Sequence, residues 1–139
     1  MSKVFVDTSG WVAVLVRSDH HHQSAVDIYL ERLSGGCDLV THEGVLMEVG
    51  NALAGAKTRA TVTKLLDTIS RSARIELVHF TPTFLDAGWS LFSERMDKDW
   101  GIVDCLSFVV MKDLGISEAL TADRHFSQAG FVKLLNYEQ

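Results

Sequence analysis

The chain has 139 residues and a mass of 15.4 kDa; 47% of its residues are hydrophobic and 22% are charged. This length predicts one domain spanning residues 1–139, and this composition excludes disordered, collagenous and coiled-coil classes. The formal net charge of −5 argues against a protein that holds nucleic acid through bulk electrostatics, so any polyanion must be bound locally.

Membrane and disulfide classes are also disfavoured by the sequence. No apolar run reaches the roughly 18 residues that a membrane-spanning helix needs, and the first residues lack the pattern of a secretory signal. Cys37 and Cys105 are far apart in the sequence, which predicts neither a disulfide framework nor a thiolate metal site. We therefore expect a soluble, cytoplasmic protein with no membrane association and with reduced cysteines.

The first half of the chain alternates strand and helix patterns. Residues 3–7 (KVFVD) are apolar almost throughout, which is typical of a strand buried on both faces of a parallel sheet. Apolar spacing predicts helices over residues 8–17, 24–33, 45–55 and 62–73, and a second strand over residues 38–41. Gly35 and Gly36 give the expected stop signal for the second helix.

The second half continues the alternation. Residues 75–80 predict a third strand, and Thr81-Pro82 then starts a helix that runs to Met96. Residues 102–114 predict a central helix that is apolar nearly all round. Residues 119–121 and 132–135 are weaker strand candidates, separated by a polar turn through Asp123 and Gln128. The sequence therefore predicts a three-layer α/β sandwich around a central, mostly parallel five-stranded sheet.

Four acidic residues stand where ligands bind in such a fold, outside the carboxyl ends of the strands. Asp7 is at the end of the first strand, and Glu48 is at the edge of the apolar stripe of a helix. Asp104 is at the start of the central helix, and Asp123 follows the fourth strand. Taken singly, the three aspartates could cap helices, and Glu48 could lie on a solvated face. Taken together in one crevice, the four carboxylates would repel each other unless a cation neutralised them. Mg²⁺ or Mn²⁺ suits a site of carboxylates better than zinc does, and could activate a water for phosphodiester chemistry.

Four short motifs carry a family resemblance that spans nearly the whole chain. They are Asp7-Thr8-Ser9, Glu48-x-x-Asn51, Asp99-Trp100 followed by Asp104-Cys105-Leu106-Ser107, and Thr121-x-Asp123-x-x-Phe126. In order and spacing they resemble the motifs of PIN-domain ribonucleases. The segment Asp19-x-x-His22-x-x-Ala25 is similar to the small bacterial and archaeal members known as VapC-type toxins.

The resemblance implies a Rossmann-like PIN fold and a metal-dependent endoribonuclease that cleaves RNA as the toxin of a toxin-antitoxin pair. It implies that Asp7, Glu48, Asp104 and Asp123 are the catalytic residues and hold Mg²⁺ or Mn²⁺. It also implies a homodimer, and an antitoxin protein that inhibits by occupying the cleft.

Other residues are candidates for supporting roles. Thr8, Ser9 and Asn51 could orient the carboxylates, although helix capping and an exposed surface position explain them about equally well. Arg59 and Trp100 are candidate RNA contacts, whereas His125 is expected at most to touch substrate.

Two alternatives remain open at this point. One is a phosphomonoesterase with an aspartyl nucleophile at Asp7, although Ser9 stands where its usual second acid would be. The other is a non-catalytic module, on the same fold, that binds RNA or a protein.

Overall fold

A computed structural model describes residues 2–137 and contains one five-stranded sheet. The strands are β1 (Lys3–Val6), β2 (Asp38–His42), β3 (Ile75–Val78), β4 (Glu118–Leu120) and β5 (Val132–Lys133). They lie in the order β3-β2-β1-β4-β5, and every neighbouring pair is parallel. The predicted fold class is confirmed, and the sheet is parallel throughout rather than mostly so.

Seven helices connect the strands within this range. They are α1 (Thr8–Leu15), α2 (His22–Ser34), α3 (Glu43–Ala52), α4 (Arg59–Arg71), α5 (Pro82–Glu94), α6 (Ile102–Leu114) and α7 (Arg124–Gln128). The first six match the predicted helices to within a few residues. The polar turn predicted after the fourth strand was wrong in part, because most of it forms the short helix α7.

The central strand shows how the sequence produces this architecture. Val4, Phe5 and Val6 are each at most 1% exposed, and consecutive strand residues point to opposite faces of a sheet. Both faces of β1 are therefore covered, as the apolar run predicts. β1 lies between β2 and β4, where Phe5 pairs with Val40 on one side and with Ala119 on the other.

The order of the strands places a crevice beside β1. The chain moves outward from β1 through β2 to β3, and then returns to place β4 on the other side of β1. Such a reversal opens a crevice at the carboxyl ends of the two strands, where ligands of α/β proteins bind. Asp7 follows β1 directly and Asp123 comes shortly after β4, so the topology brings both to this crevice.

A buried histidine fixes the start of α3, the helix that carries Glu48. His42 caps α3 by accepting a hydrogen bond from the Gly44 amide at its Nδ1, 3.0 Å away, and its Nε2 lies 2.9 Å from Ser107 Oγ. Ser107 donates its own proton to the Val103 carbonyl, so His42 Nε2 is the donor to Ser107. Burial lowers the pKa of His42 to about 4, and the ring is therefore neutral at pH 7.

Two further features concern the cysteines and the helices. Cys37 and Cys105 are both buried and free. None of the helices between residues 2 and 137 combines the length and the apolar character that crossing a bilayer requires.

Candidate active site

Asp7 lies at the point where β1 passes into α1. Its side chain is buried, and Thr121, which follows β4, donates a hydrogen bond to Asp7 Oδ2 at 2.9 Å. Burial raises the pKa of Asp7 to about 7, and the negative charges of Asp104 and Asp123 act in the same direction. Hydrogen bonds from the Thr8 backbone and the Thr121 hydroxyl act against this rise. Asp7 is thus a carboxylate whose charge is poorly compensated by the protein.

A short chain of hydroxyl groups holds the Asp7 carboxylate. Because Thr121 gives its one hydroxyl proton to Asp7, its contact with Ser9 Oγ, 3.1 Å away, requires Ser9 to donate. Thr121 Oγ1 also accepts from the Asp123 amide, and Ser9 Oγ accepts from the Ala122 amide. These bonds tie the end of β1 to the loop after β4. Ser9 therefore orients Asp7 through Thr121. It does not bond to the Asp7 carboxylate itself.

Asp104, Asp123 and His125 form the tightest cluster at the crevice, with one potential ligand atom from each lying within 4.8 Å of the others. His125 Nδ1 lies 3.1 Å from Asp104 Oδ2 and 3.2 Å from Asp123 Oδ1. Burial raises the pKa of Asp104, and the negative charge of Asp123 raises it further. The imidazole therefore bridges two carboxylates that would otherwise repel each other.

Asp104 and Asp123 both cap a helix and also belong to the acidic site. Asp104 accepts a hydrogen bond at 3.0 Å from the amide of Gly101, the N-cap residue of α6. Asp123 caps α7 by accepting at 2.9 Å from the His125 amide. Each cap fixes its carboxylate at the start of a helix, where the helix dipole favours negative charge.

Glu48 stands apart from the cluster. It is exposed on α3, and Thr8 Oγ1 donates a hydrogen bond to its Oε1 at 2.7 Å. Thr8 is adjacent to Asp7, so this bond connects Glu48 to the crevice. Among the residues from 2 to 137, the set with ligand atoms within 4.8 Å of one another does not include Glu48 or Asp7. A cation shared by all four acids would therefore require both Glu48 and Asp7 to reach towards it.

The remaining sequence candidates fall in different places. Asn51 is exposed and lies beside Glu48 in a groove between α3 and α5. Arg59 is exposed at the start of α4, and its role as an RNA contact stays a prediction. Trp100 is only 6% exposed and the Arg95 guanidinium lies over its ring, and its role as an RNA contact stays a prediction.

Two residues of the site were missed by sequence reasoning, which placed His125 only near substrate and gave Thr121 no role. Both could have been found from the Thr121-x-Asp123-x-His125 spacing if α7 had been predicted. A short helix capped by Asp123 turns His125 back towards the capping carboxylate, and the end of β4 places Thr121 beside β1.

The donors present suit a hard divalent cation. Carboxylate oxygens are the ligands that Mg²⁺ and Mn²⁺ prefer, and Mn²⁺ also accepts an imidazole nitrogen. The raised pKa values of Asp7 and Asp104 mark negative charge that the described residues do not neutralise. Asp104, Asp123 and His125 could hold such an ion directly, with Asp7 facing it from β1.

Comparisons with known proteins agree with this geometry. The PIN domain family matches residues 4–132. The 23S rRNA-specific endonuclease VapC20 of Mycobacterium tuberculosis is 30% identical over 132 residues, which cover 94% of this chain and 97% of that protein. The crystal structure of Mycobacterium tuberculosis VapC20, described as a Sarcin-Ricin loop cleaving toxin, matches with a TM-score of 0.82 and 27% identity over 94% of this chain and 97% of that one.

Two further structures share the fold at lower identity. VapBC2 from Rickettsia felis, bound to a DNA fragment from its promoter, has a TM-score of 0.69 and 17% identity over 98% of this chain and 99% of that one. FitAcB from Neisseria gonorrhoeae has a TM-score of 0.62 and 15% identity over 97% and 96%. The resemblance predicted from the four motifs is confirmed, and the chain belongs to the PIN-domain family.

Proposed function

We propose that this protein is a Mg²⁺- or Mn²⁺-dependent endoribonuclease that acts in the cytoplasm as the toxin of a toxin-antitoxin pair. The observation that carries the proposal is the approach of Asp7, Asp104 and Asp123 from three separate segments, close enough that the charges of Asp104 and Asp123 add to the effect of burial in raising the pKa of Asp7. Similarity to VapC20 over 94% of the chain supports the same class of reaction and makes 23S rRNA the first substrate to test.

In this proposal the four predicted acids, Asp7, Glu48, Asp104 and Asp123, hold the cation. A divalent cation bound there would supply Lewis-acid activation of water and neutralise charge on the phosphodiester. The Ser9–Thr121 hydroxyl chain orients Asp7, the Gly101 amide orients Asp104, and Thr8 holds Glu48 towards the crevice. His125 keeps Asp104 and Asp123 apart at a fixed spacing and adds a nitrogen donor.

Cleavage of RNA by the purified protein tests this proposal. We expect cleavage of 23S rRNA, and of short single-stranded RNA at higher protein concentration, in Mn²⁺ or Mg²⁺ and not in EDTA. RNA binding without cleavage in either cation would instead support the non-catalytic module. Release of phosphate from a monoester, with no cleavage of RNA, would support the aspartyl phosphomonoesterase.

We also propose an antitoxin protein as a partner. VapC20 is described as a toxin, and a toxin that cleaves RNA in its own cell must be held inactive by something. An acidic crevice of this kind would accept a basic segment from the antitoxin, because Asp104 and Asp123 are only partly buried and share one histidine. Co-expression with the product of any short reading frame that adjoins this one, followed by co-purification, tests the partnership.

We also propose that the protein forms a homodimer through α3 and α5. Four large apolar side chains on or beside these helices are 44–90% exposed, namely Met47, Trp89, Phe92 and Met96. Grooves between α3 and α5 continue this surface, and contiguous apolar surface of this kind marks interaction sites.

We expect light scattering to show a dimer, and Trp89→Ser to shift it towards monomer because a large apolar anchor is lost. Leu30→Ser is the matched control, since Leu30 is similarly exposed but lies on α2. A wild-type monomer at micromolar concentration, or a dimer unaffected by Trp89→Ser, would contradict this interface.

A further inference from the structure

A second cleft adjoins the acidic site on the other side of residues 100–101. It has a volume of about 310 Å³ and an aromatic and aliphatic floor with two basic residues at its edge. Its main lining residues are Leu91, Arg95, Trp100, Phe108, Lys112 and Phe131. This volume is at the small end for ligand pockets, so the cleft has room for one flat group and not for a duplex.

At this cleft the Arg95 guanidinium lies over the ring of a tryptophan. The Arg95 guanidinium carbon lies 4.8 Å from the centre of the Trp100 ring. Trp100 is itself fixed by an edge-on contact with Phe108 and by a hydrogen bond from its Nε1 to Gln128 Oε1 at 3.2 Å. Asp97 accepts two hydrogen bonds from Arg95, each 3.0 Å long. Trp100 thus takes one face of the guanidinium and Asp97 takes one edge.

The Arg95 side chain is ordered but not fully covered. The Arg95 side chain is 40% exposed although its position is fixed on two sides. A planar guanidinium that is already ordered stacks on a nucleobase with little further loss of conformational freedom. Lys112, exposed on α6, makes no ion pair within the described part of the chain and supplies a positive charge at the same cleft.

The cleft is connected to the acidic site through two short stretches of chain. Trp100 immediately precedes Gly101, whose amide holds Asp104. Gln128, which binds Trp100, is the last residue of α7, and this helix begins beside Asp123.

We propose that Arg95, backed by Trp100, is a stacking platform for an unpaired base of the RNA strand whose phosphate is held at the acidic site. This inference rests on the proposed ribonuclease function and names how the strand is positioned. An apolar side chain of a protein partner is the other occupant the cleft could take. The exposed part of Arg95, the positive charge of Lys112 and the connection of the cleft to the acidic site favour a nucleotide.

The test compares Arg95→Ala and Arg95→Lys with wild type, and uses Arg71→Ala as the control. Lysine keeps the charge but removes the plane, and Arg71 is an exposed arginine paired with Asp67 on α4. The probe is a single-stranded RNA containing 2-aminopurine, whose fluorescence falls on stacking. Its quenching is titrated in EDTA, and KM and kcat are measured in Mn²⁺.

We expect both Arg95 variants to bind about tenfold more weakly, with reduced quenching and a raised KM at nearly unchanged kcat. Arg71→Ala should match wild type. Wild-type affinity and quenching in Arg95→Lys would overturn the stacking role, and unchanged RNA binding in Arg95→Ala would leave the cleft to a protein partner. Quenching that depends on Arg95 without any cleavage would overturn the nuclease proposal and not the platform.

Discussion

Asp7→Asn is expected to raise the free energy of unfolding, measured in EDTA at pH 8, by about 2 to 4 kcal/mol. The pKa of Asp7 is about 7 in the folded state, against an ordinary value of 3.8. A carboxyl group whose folded pKa is raised favours folding when protonated, so its penalty appears as the pH rises from about 4 through 7. Asparagine carries no charge and can still accept the hydrogen bond from Thr121. The two proteins should therefore be equally stable near pH 4 and diverge above it.

The same variant tests the metal site through stability and not activity. A cation that binds only the folded state stabilises it, so Mn²⁺ should raise the Tm of the wild type. Asp7→Asn should melt higher than wild type in EDTA and lose most of the response to Mn²⁺. Asp86→Asn, an exposed position on α5, is the control and should behave as wild type. A full Mn²⁺ response in Asp7→Asn would remove Asp7 from the site.

Asp104→Asn is expected to reduce the rate of RNA cleavage by 10²-fold or more, while the fold is retained. Losing one charge aimed at the reacting centre typically costs this much. The asparagine oxygen can still accept from the Gly101 amide, so the start of α6 should not unravel. Circular dichroism and Tm would show that the helix is intact.

The control for Asp104→Asn is Asp113→Asn on the same helix. Asp113 is exposed near the other end of α6, where a lost charge should leave cleavage unchanged. Cleavage by Asp104→Asn at the wild-type rate would show that this carboxylate has no part in the reaction.

The parts of the fold that sequence predicted well are those set by local patterns. β1 was predicted because residues 4–6 are apolar on both faces of the sheet. The start of α5 was predicted because Thr81 caps the helix and Pro82 is its first residue. α7 was missed because five residues carry too little periodicity, and its stability depends on burying Phe126 against Phe5 and Phe108. β5 is shorter than predicted and covers Val132–Lys133, although the Leu134 and Leu135 amides still donate to the Ala119 and Thr121 carbonyls.

Some residues of the site were likewise predicted from local patterns, and others were not. Asp7, Asp104 and Asp123 were predicted because they stand at the ends of strands or the start of a helix, where topology alone brings them together. The bridging of Asp104 and Asp123 by His125 was missed because it depends on α7, which was not predicted, and on where α7 meets α6. Burial of Trp100 depends in turn on Phe108 and Gln128, which no local pattern connects to it.

Mapping the product ends tests the central claim most directly. A site of carboxylates around a divalent cation supports in-line attack by water on phosphorus, with the 3′ oxygen leaving and taking up a proton. We therefore predict 5′-phosphate and 3′-hydroxyl ends, formed in Mn²⁺ even when the nucleotide at the cleavage position is 2′-deoxy. Products ending in a 2′,3′-cyclic phosphate, or full cleavage in EDTA, would contradict the account. Either result would instead favour a mechanism in which His125 acts as a base on the 2′-hydroxyl.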